Sequence, residues 1–506
     1  MHSATPHVQQ LRPRSSGSFR ATMETRVPSR SWNAVKTHAI VVLITATGLL
    51  SDNPVVPLLL GGLLVAPTLI ALGILEARRT PLRIDPLSFL FFWNAIDLGI
   101  AAVYMGWRIN SGEWLDLSVA LISPADLAKG YVIYLLGFLS MHVGMQYMRP
   151  LQQSPAAKWW TDVKPLPFVW LVAIWGLGLV YLLKEVWFSF LGSLVQPLNW
   201  AALAAVTNFA LLPRKYFGIS KPMFGSLLAI GTLGLLVGNL ATGSKAYIMF
   251  SFLPIVWMVV VRRGLWRWGA ILGLGLVALY FGVLSPTVQS SRKEPLREGE
   301  GPVAHIINSF WGFGWSDSNT EHKISPSDQA EQFLVRQFDP TPTGFLVGEV
   351  RKDGFQWGQT MQYAAYAFVP RFLWPDKPNV SRGAWFTMYL GASNRESEST
   401  SSTGITAVGE LYWNFGIPGV VIGMLGIGLG YGLLWRMAGE NPVHKPLHMI
   451  LYVMVAIGGM IDLPEAVTVY AGILSQMMLF GAFFHVLRVG RRNFLRGLVY
   501  SGLKTQ

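Results

Sequence analysis

Cysteine is absent from all 506 positions of this chain. Its absence removes disulfides, thiolate-held iron–sulfur clusters and a thiol nucleophile, and leaves the redox compartment open. Charge is scarce as well, with 13% of residues charged against 52% hydrophobic. A chain that apolar, with long apolar runs recurring from end to end, reads as an all-α polytopic membrane protein and excludes an ordinary soluble fold. The nine histidines show no ligand-like spacing, so no metal site is expected, and no cofactor either. No D-x-D motif is present to hold a metal and a nucleotide-sugar, which argues against a cytoplasmic sugar-nucleotide transferase. The first 30 residues lack the short apolar core of a secretory signal. They are basic and rich in Ser and Pro, with Glu24 as their one acid, and read as a disordered tail without assigned function.

Twelve apolar windows are long enough to be candidate spans: residues 37–51, 56–75, 86–106, 127–148, 166–183, 197–212, 222–241, 246–261, 266–285, 418–435, 446–462 and 466–487. Short cytoplasmic loops should hold the excess of Lys and Arg, and this tests the count. With both termini inside, the cytoplasmic segments contain Arg78, Arg79 and Arg83; Arg149, Lys158 and Lys164; Arg214, Lys215 and Lys221; Arg262, Arg263 and Arg267; and Arg436 and Lys445. Both tails are basic too, whereas the spans and short outside loops hold Arg108, Lys129, Lys184 and Lys245. The alternation supports twelve crossings. The net charge of +13 is then a matter of topology, and no nucleic-acid partner is expected. The expected organisation is a cytoplasmic tail over 1–36, nine transmembrane helices over 37–285, one large outside loop over 286–404, a re-entrant or interfacial segment with three further helices over 405–487, and a basic tail over 488–506.

The large loop exceeds the usual connection many times over and is expected to be functional or disordered. Its tryptophans, Trp311, Trp315, Trp357, Trp374 and Trp385, predict an ordered cap close to the membrane, with the Ser-rich stretch 393–403 as its mobile part. Ionisable groups within spans cost about 3 kcal/mol each at mid-bilayer, so each is a functional candidate needing a partner. Asp97 falls about midway along the third span. Lys184 and Glu185 read as interfacial anchors, Asp462 and Glu465 as a helix-turn cap, and His142 as a packed core histidine. Glu410 and Lys245 are stronger candidates because each sits in a Gly-rich break. Gly416 and Pro418 should separate the segment holding Glu410 from the tenth span, and Glu410 and Asn414 share a face if that segment is helical. "GNLATGSKA", ending at Ala246, ends Gly-Ser-Lys where a phosphate-binding loop needs Gly-Lys-Ser, and reads instead as a basic turn able to meet an anionic head group. "SSRK", Ser290 to Lys293, lacks the companions of a penicillin-binding site.

Three stretches in this order resemble one family: "GSKA" from Gly243, "GFQWGQTMQYAAYAFVPRFLWPDKP" ending at Pro378, and "GELYWNFGIPGVVIGMLGIGLGYG" from Gly409. They look like bacterial oligosaccharide repeat-unit polymerases, the O-antigen or exopolysaccharide polymerase family. Lys245 departs from the arginine expected there, which weakens the case for bidentate phosphate binding. The resemblance implies a membrane-embedded, GT-C-like glycosyltransferase of the bacterial inner membrane with its active site facing the periplasm. Its substrates would be polyprenyl-pyrophosphate-linked oligosaccharides, and a chain-length regulator and flippase of the same pathway are possible partners. Pyrophosphate is then the leaving group, so clamping guanidinium groups would stabilise the transition state, with Arg371 first and Arg292, Arg382 and Arg336 behind it. Glu410 is the candidate base, with His305, His322 or Asp317 as alternatives. Lys245, Lys377, Asn414 and Trp374 complete the expected substrate-binding set. A glycan ligase would use nearly the same parts, and a flippase or transporter is the alternative of a different class.

Overall fold

The computed structural model describes residues 29–79, 85–112, 122–149, 168–183, 200–241, 245–263, 337–367, 383–390, 404–439, 442–461 and 467–475, with isolated residues besides. Lys184, Glu185, Asp462, Glu465, Arg292, Arg336, Arg371, Arg382, His305, His322 and Asp317 lie outside them. The helices are α1 Ser29–Thr47, α2 Val55–Arg79, α3 Pro86–Asn110, α4 Pro124–Met148, α5 Phe168–Leu183, α6 Ala201–Leu211 and α7 Lys221–Ala241. They continue with α8 Lys245–Phe250, α9 Leu253–Arg263, α10 Pro340–Asp353, α11 Gln362–Ala367, α12 Gly383–Tyr389, α13 Ala407–Ala438 and α14 Pro446–Ile461. No strand occurs among the described residues. Among the described residues six helices are long and apolar enough to cross a membrane, in α1, α2, α3, α4, α7 and α13, so the protein is a polytopic membrane protein. The windows at 166–183, 197–212 and 446–462 hold shorter apolar helices. The one at 246–261 is divided between α8 and α9 by a turn at Ser251 and Phe252.

α4 is the centre of this arrangement and packs most extensively on α13 and α10. Lipid tails supply no hydrophobic drive between helices, so close contact requires small residues. A Cβ on Gly428 of α13 would stand 2.2 Å from the Met141 carbonyl oxygen, and one on Gly144 of α4 would stand 2.5 Å from that of Leu425. Toward the other end of α4, Gly130 lies so close to Gly344 of α10 that a Cβ would meet its nitrogen at 2.4 Å. His142 packs edge-on to Phe91 at 4.8 Å, and its Nδ1 lies 3.2 Å from Nδ1 of His38 on α1. It is thus a core residue that joins two spans.

α10 belongs to the segment read as an outside loop, yet its first residues reach the middle of a span. In α3 the helix widens to π geometry over Ala95–Ile100, a feature that recurs at functional sites. The displaced Leu98 carbonyl accepts from the Tyr131 hydroxyl at 2.6 Å. Within this bulge the buried Asp97 accepts the N–H of Asp339, the residue just before α10, at 3.0 Å. The partner that an intramembrane carboxylate requires is therefore supplied from the loop.

The helix ends that carry Arg79, Arg149 and Arg436 form one end of the bundle. Glu76, fully buried, pairs with Arg79 at 2.5 Å and with Arg149, which also reaches Asp85 at 3.3 Å and lies 5.2 Å over the Trp435 ring. Asp85 starts α3 with a capping box: its carboxylate accepts the Ser88 N–H at 2.7 Å, and Ser88 Oγ accepts the Asp85 N–H at 2.8 Å. Burial pushes the Asp85 carboxyl up to about 6, with Arg149 pulling it back and Glu76 adding to the rise.

Gly428→Leu should prevent recovery of monodisperse protein by size exclusion, whereas Gly426→Leu on the same helix, with open space beside its Cβ, should behave like wild type. Asp85 gives a pH test. A folded carboxyl that holds its proton to about pH 6, against 3.8 when free, contributes stability that is complete below the lower value and lost as pH rises through the upper one. The thermal midpoint of wild type should fall across this window, and Asp85→Asn, which keeps the cap, should flatten the profile.

Candidate functional site at the loop end of the bundle

The opposite end is organised by a break in α13. Pro418 has no N–H to give the Asn414 carbonyl four residues back, and its ring would collide with that carbonyl in a regular helix. Gly416 resolves the collision by taking φ 66 and ψ −157, outside helical geometry. The carbonyls of Trp413 and Asn414 turn to another part of the chain, accepting the N–H groups of Gln356 and Trp357 at 3.0 and 3.2 Å. Asn414 strengthens the joint. Its Oδ1 accepts the Gly358 N–H at 2.8 Å, and Nδ2 donates to Thr360 Oγ1 at 2.6 Å and to the Glu410 carbonyl at 2.7 Å. Both amide hydrogens are used within the protein, so Asn414 acts as a clamp.

The docked segment folds back as a type I′ turn, with Trp357 at φ 48, Gly358 at φ 93, and the Gln359 N–H donating to the Gln356 carbonyl at 3.0 Å. Asn-Gly is the natural pair for this geometry. A tryptophan in the left-handed region costs about 1–2 kcal/mol. Its ring is 75% exposed and edge-on to Phe355 at 6.0 Å.

α13 begins at Thr406, whose hydroxyl accepts the Gly409 N–H at 2.9 Å and lies 3.1 Å from the Thr343 hydroxyl of α10. Glu410 follows in the first turn, where a negative charge is favoured by the helix dipole. It is buried, and its Oε2 accepts the Val467 N–H at 2.8 Å, so the carboxylate joins α13 to the helix over 467–475. A carboxylate held in this way has a fixed orientation, as a general base or hydrogen-bond acceptor requires.

Of the other expected residues, Lys377 is buried and its Nζ donates to the Val369 carbonyl at 2.9 Å. That bond joins the two ends of the stretch in which Arg371 falls. Trp374 is half-buried, edge-on to Tyr366 at 5.3 Å. Lys245 is the first residue of α8, separated from α7 by 242–244, and its side chain is outside the described residues.

The structure also assembles groups that no sequence cue connected. Arg351 of α10 makes a two-pronged contact with Asp126 of α4, at 3.0 and 2.7 Å, across 225 residues of sequence. Glu349 accepts from the Tyr389 hydroxyl at 2.9 Å and from Lys352 at 2.8 Å. Burial first, then the bond to Glu349, raises the Tyr389 hydroxyl above its usual range. Beside them an aromatic wall forms, with Trp385 stacked on Tyr389 at 5.4 Å and on Trp413 at 6.3 Å. Tyr389 and Trp413 themselves approach to 5.3 Å. Ring faces of this kind suit sugar stacking as well as packing. Among the described residues no group of three His, Asp or Glu is placed to hold a metal ion.

No protein-family model, curated protein or solved structure matches the chain.

Asn414→Ala would strand the Gly358 N–H and loosen the turn. It should lower folding stability by about 2 kcal/mol, since each lost bond contributes about 1 kcal/mol and a stranded buried group adds to the cost. A fall in the thermal midpoint of several degrees, with faster hydrogen exchange at 356–361, is the expected result.

Proposed function

We propose that this protein polymerises polyprenyl-pyrophosphate-linked oligosaccharide repeats, moving the growing glycan from its lipid carrier to a hydroxyl of the next lipid-linked repeat. The observation that carries the reading is the joint between the two longer stretches on which the family resemblance rests. "GFQWGQ" and "GELYWNFG" are hydrogen-bonded to one another through Gln356, Trp357 and Gly358 on one side and Trp413 and Asn414 on the other. Residues remote in sequence that meet in this way form one local unit, as parts of one site must. In this reading the chain crosses the bacterial inner membrane twelve times, with both termini in the cytoplasm and the loop end of the bundle in the periplasm.

The chemistry assigns roles within that unit. The acceptor sugar hydroxyl attacks the anomeric carbon of the growing chain, the bond to the pyrophosphate oxygen breaks, and the hydroxyl proton passes to a base. Glu410 is the base, its orientation set by the Val467 N–H. Arg371 takes up the charge developing on the leaving pyrophosphate, which a planar guanidinium can meet with two bonds. The half-buried rings of Trp385 and Tyr389, backed by the buried Trp413, supply faces for the sugars.

Transport is the second reading, and the Asp97–Asp339 contact midway along α3 favours it, because transporters carry polar groups through the mid-bilayer. Deleting the gene separates the two. Surface glycan shortened to a single repeat supports polymerisation, and complete loss of surface repeats supports transport. On purified lipid-linked repeats, Arg371→Ala should abolish long polymer with normal membrane insertion, and normal chain lengths would remove it from the mechanism. Glu410→Gln should slow turnover by about a hundredfold or more, the usual contribution of a general base.

A further inference from the structure

Trp357 takes a strained conformation at the head of a type I′ turn, yet the protein gives its indole little cover, leaving it 75% exposed. A neighbouring surface must therefore reward the placement. The turn rests on the break in α13, where Phe415 touches the Gly358 position and is 40% exposed. Below the break, α13 carries the exposed apolar residues Ile422, Leu433 and Met437, at 71%, 49% and 45%. These recur at helical spacing on one face of a membrane-spanning helix, which makes that face the lipid-facing one. Depth follows from the same helix. Pro418 to Arg436 rises about 27 Å at 1.5 Å per residue, close to the roughly 30 Å of a bilayer's hydrocarbon core. The break, and with it the turn, stands at the boundary between hydrocarbon and head groups, the level at which tryptophan is enriched.

We propose that the turn Gln356–Gln359 is a bilayer anchor, with the Trp357 indole inserted among the lipid head groups and Phe355 and Phe415 beneath it. The lipid surface holds the loop down over the break in α13. The anchor requires only that the protein spans a membrane, so it stands or falls independently of the polymerase reading.

The chain has no cysteine, so one introduced thiol gives a unique label. Full-length Trp357→Cys, Lys352→Cys and Ile422→Cys, each nitroxide-labelled in phosphatidylethanolamine–phosphatidylglycerol nanodiscs, are compared by collision with oxygen and with a water-soluble nickel chelate. The oxygen-to-nickel ratio at 357 should be several-fold above that at 352, whose side chain is 65% exposed, and below that at 422. A ratio at 357 equal to that at 352 overturns the proposal. So does a label that is water-accessible alone but protected by added lipid-linked oligosaccharide, which would make the indole a glycan platform. A second variant guards against misfolding. Trp357→Asn suits the turn, so if the tryptophan were only a source of strain, hydrogen exchange at 356–361 in nanodiscs would slow. Loss of an anchor should make it several-fold faster, with no such difference in detergent.

Discussion

Two backbone carbonyls, those of Trp413 and Asn414, lose their helical donors at Gly416 and Pro418 and must find others in a setting poor in water. An unpaired buried carbonyl costs as much as the bond it lacks, so the break can exist only where something fills it. Gln356 and Trp357 do so with their N–H groups, and the loop's path is fixed as a result. Asn414 is placed for the clamp by the same break: its position in the turn before Gly416 lets its amide reach both the incoming turn and the Glu410 carbonyl. Helix, loop and candidate carboxylate are thus determined together. A proline that would disrupt most helices is here the reason that a loop has a binding edge.

That joint would be loose without a rigid support, and α4 provides it. Its glycines let α13 and α10 approach to backbone contact, and at such distances small shifts meet repulsion at once. Buried carboxylates stand at both ends of α4, Glu76 with two arginines at one end and Asp126 with the largely exposed Arg351 at the other. Pairs of this kind do little for net stability, since desolvation offsets most of the attraction. Their effect is on register. Sliding α4 along its neighbours would strand a buried carboxylate in each case, and at the Glu76 end, where Arg149 is largely buried as well, losing a partner costs several kcal/mol. The Asp97 contact with the Asp339 N–H sets the depth of α10 in the same way.

Hydropathy made six of the expected spans legible, because a bilayer imposes length and composition on a helix whatever its neighbours are. Window length alone was a poor guide: the short window at 37–51 holds one of the long helices, whereas the one at 246–261 is divided. The break before the tenth span could be read from Gly416 and Pro418, whose backbone preferences are local. The Glu410 and Asn414 pairing could be read from helical spacing. The occupant of the break was not legible, since nothing in "FQWGQT" announces that its N–H groups will meet carbonyls that far along the chain. Arg351 and Asp126 escaped for a similar reason: Asp126 reads as an ordinary first-turn acid of α4, and its partner is chosen by packing. α10 was hidden by its composition. With Arg351, Lys352 and Asp353 at its end, it has the character of a surface helix, although Thr343, Gly344, Leu346 and Val347 are buried.

Lys377 illustrates how structure alters the meaning of a charge. In sequence it is a second cation close to Arg371, and a phosphate-binding role follows naturally. In the fold its ammonium donates to the Val369 carbonyl from a buried position, and its own N–H donates to the Trp374 carbonyl. A charge-assisted bond to a carbonyl in a buried setting is strong enough to hold a short loop closed. Val369 and Trp374 are in turn linked to Tyr366, one by a backbone bond of 3.0 Å and the other by ring contact. The prolines at 370, 375 and 378 each fix their own φ and restrict the residue before them. Lys377 and the prolines therefore act on one quantity, the entropy of the segment that carries Arg371. If Arg371 clamps the leaving pyrophosphate as proposed, it gains most from being positioned before the reaction begins.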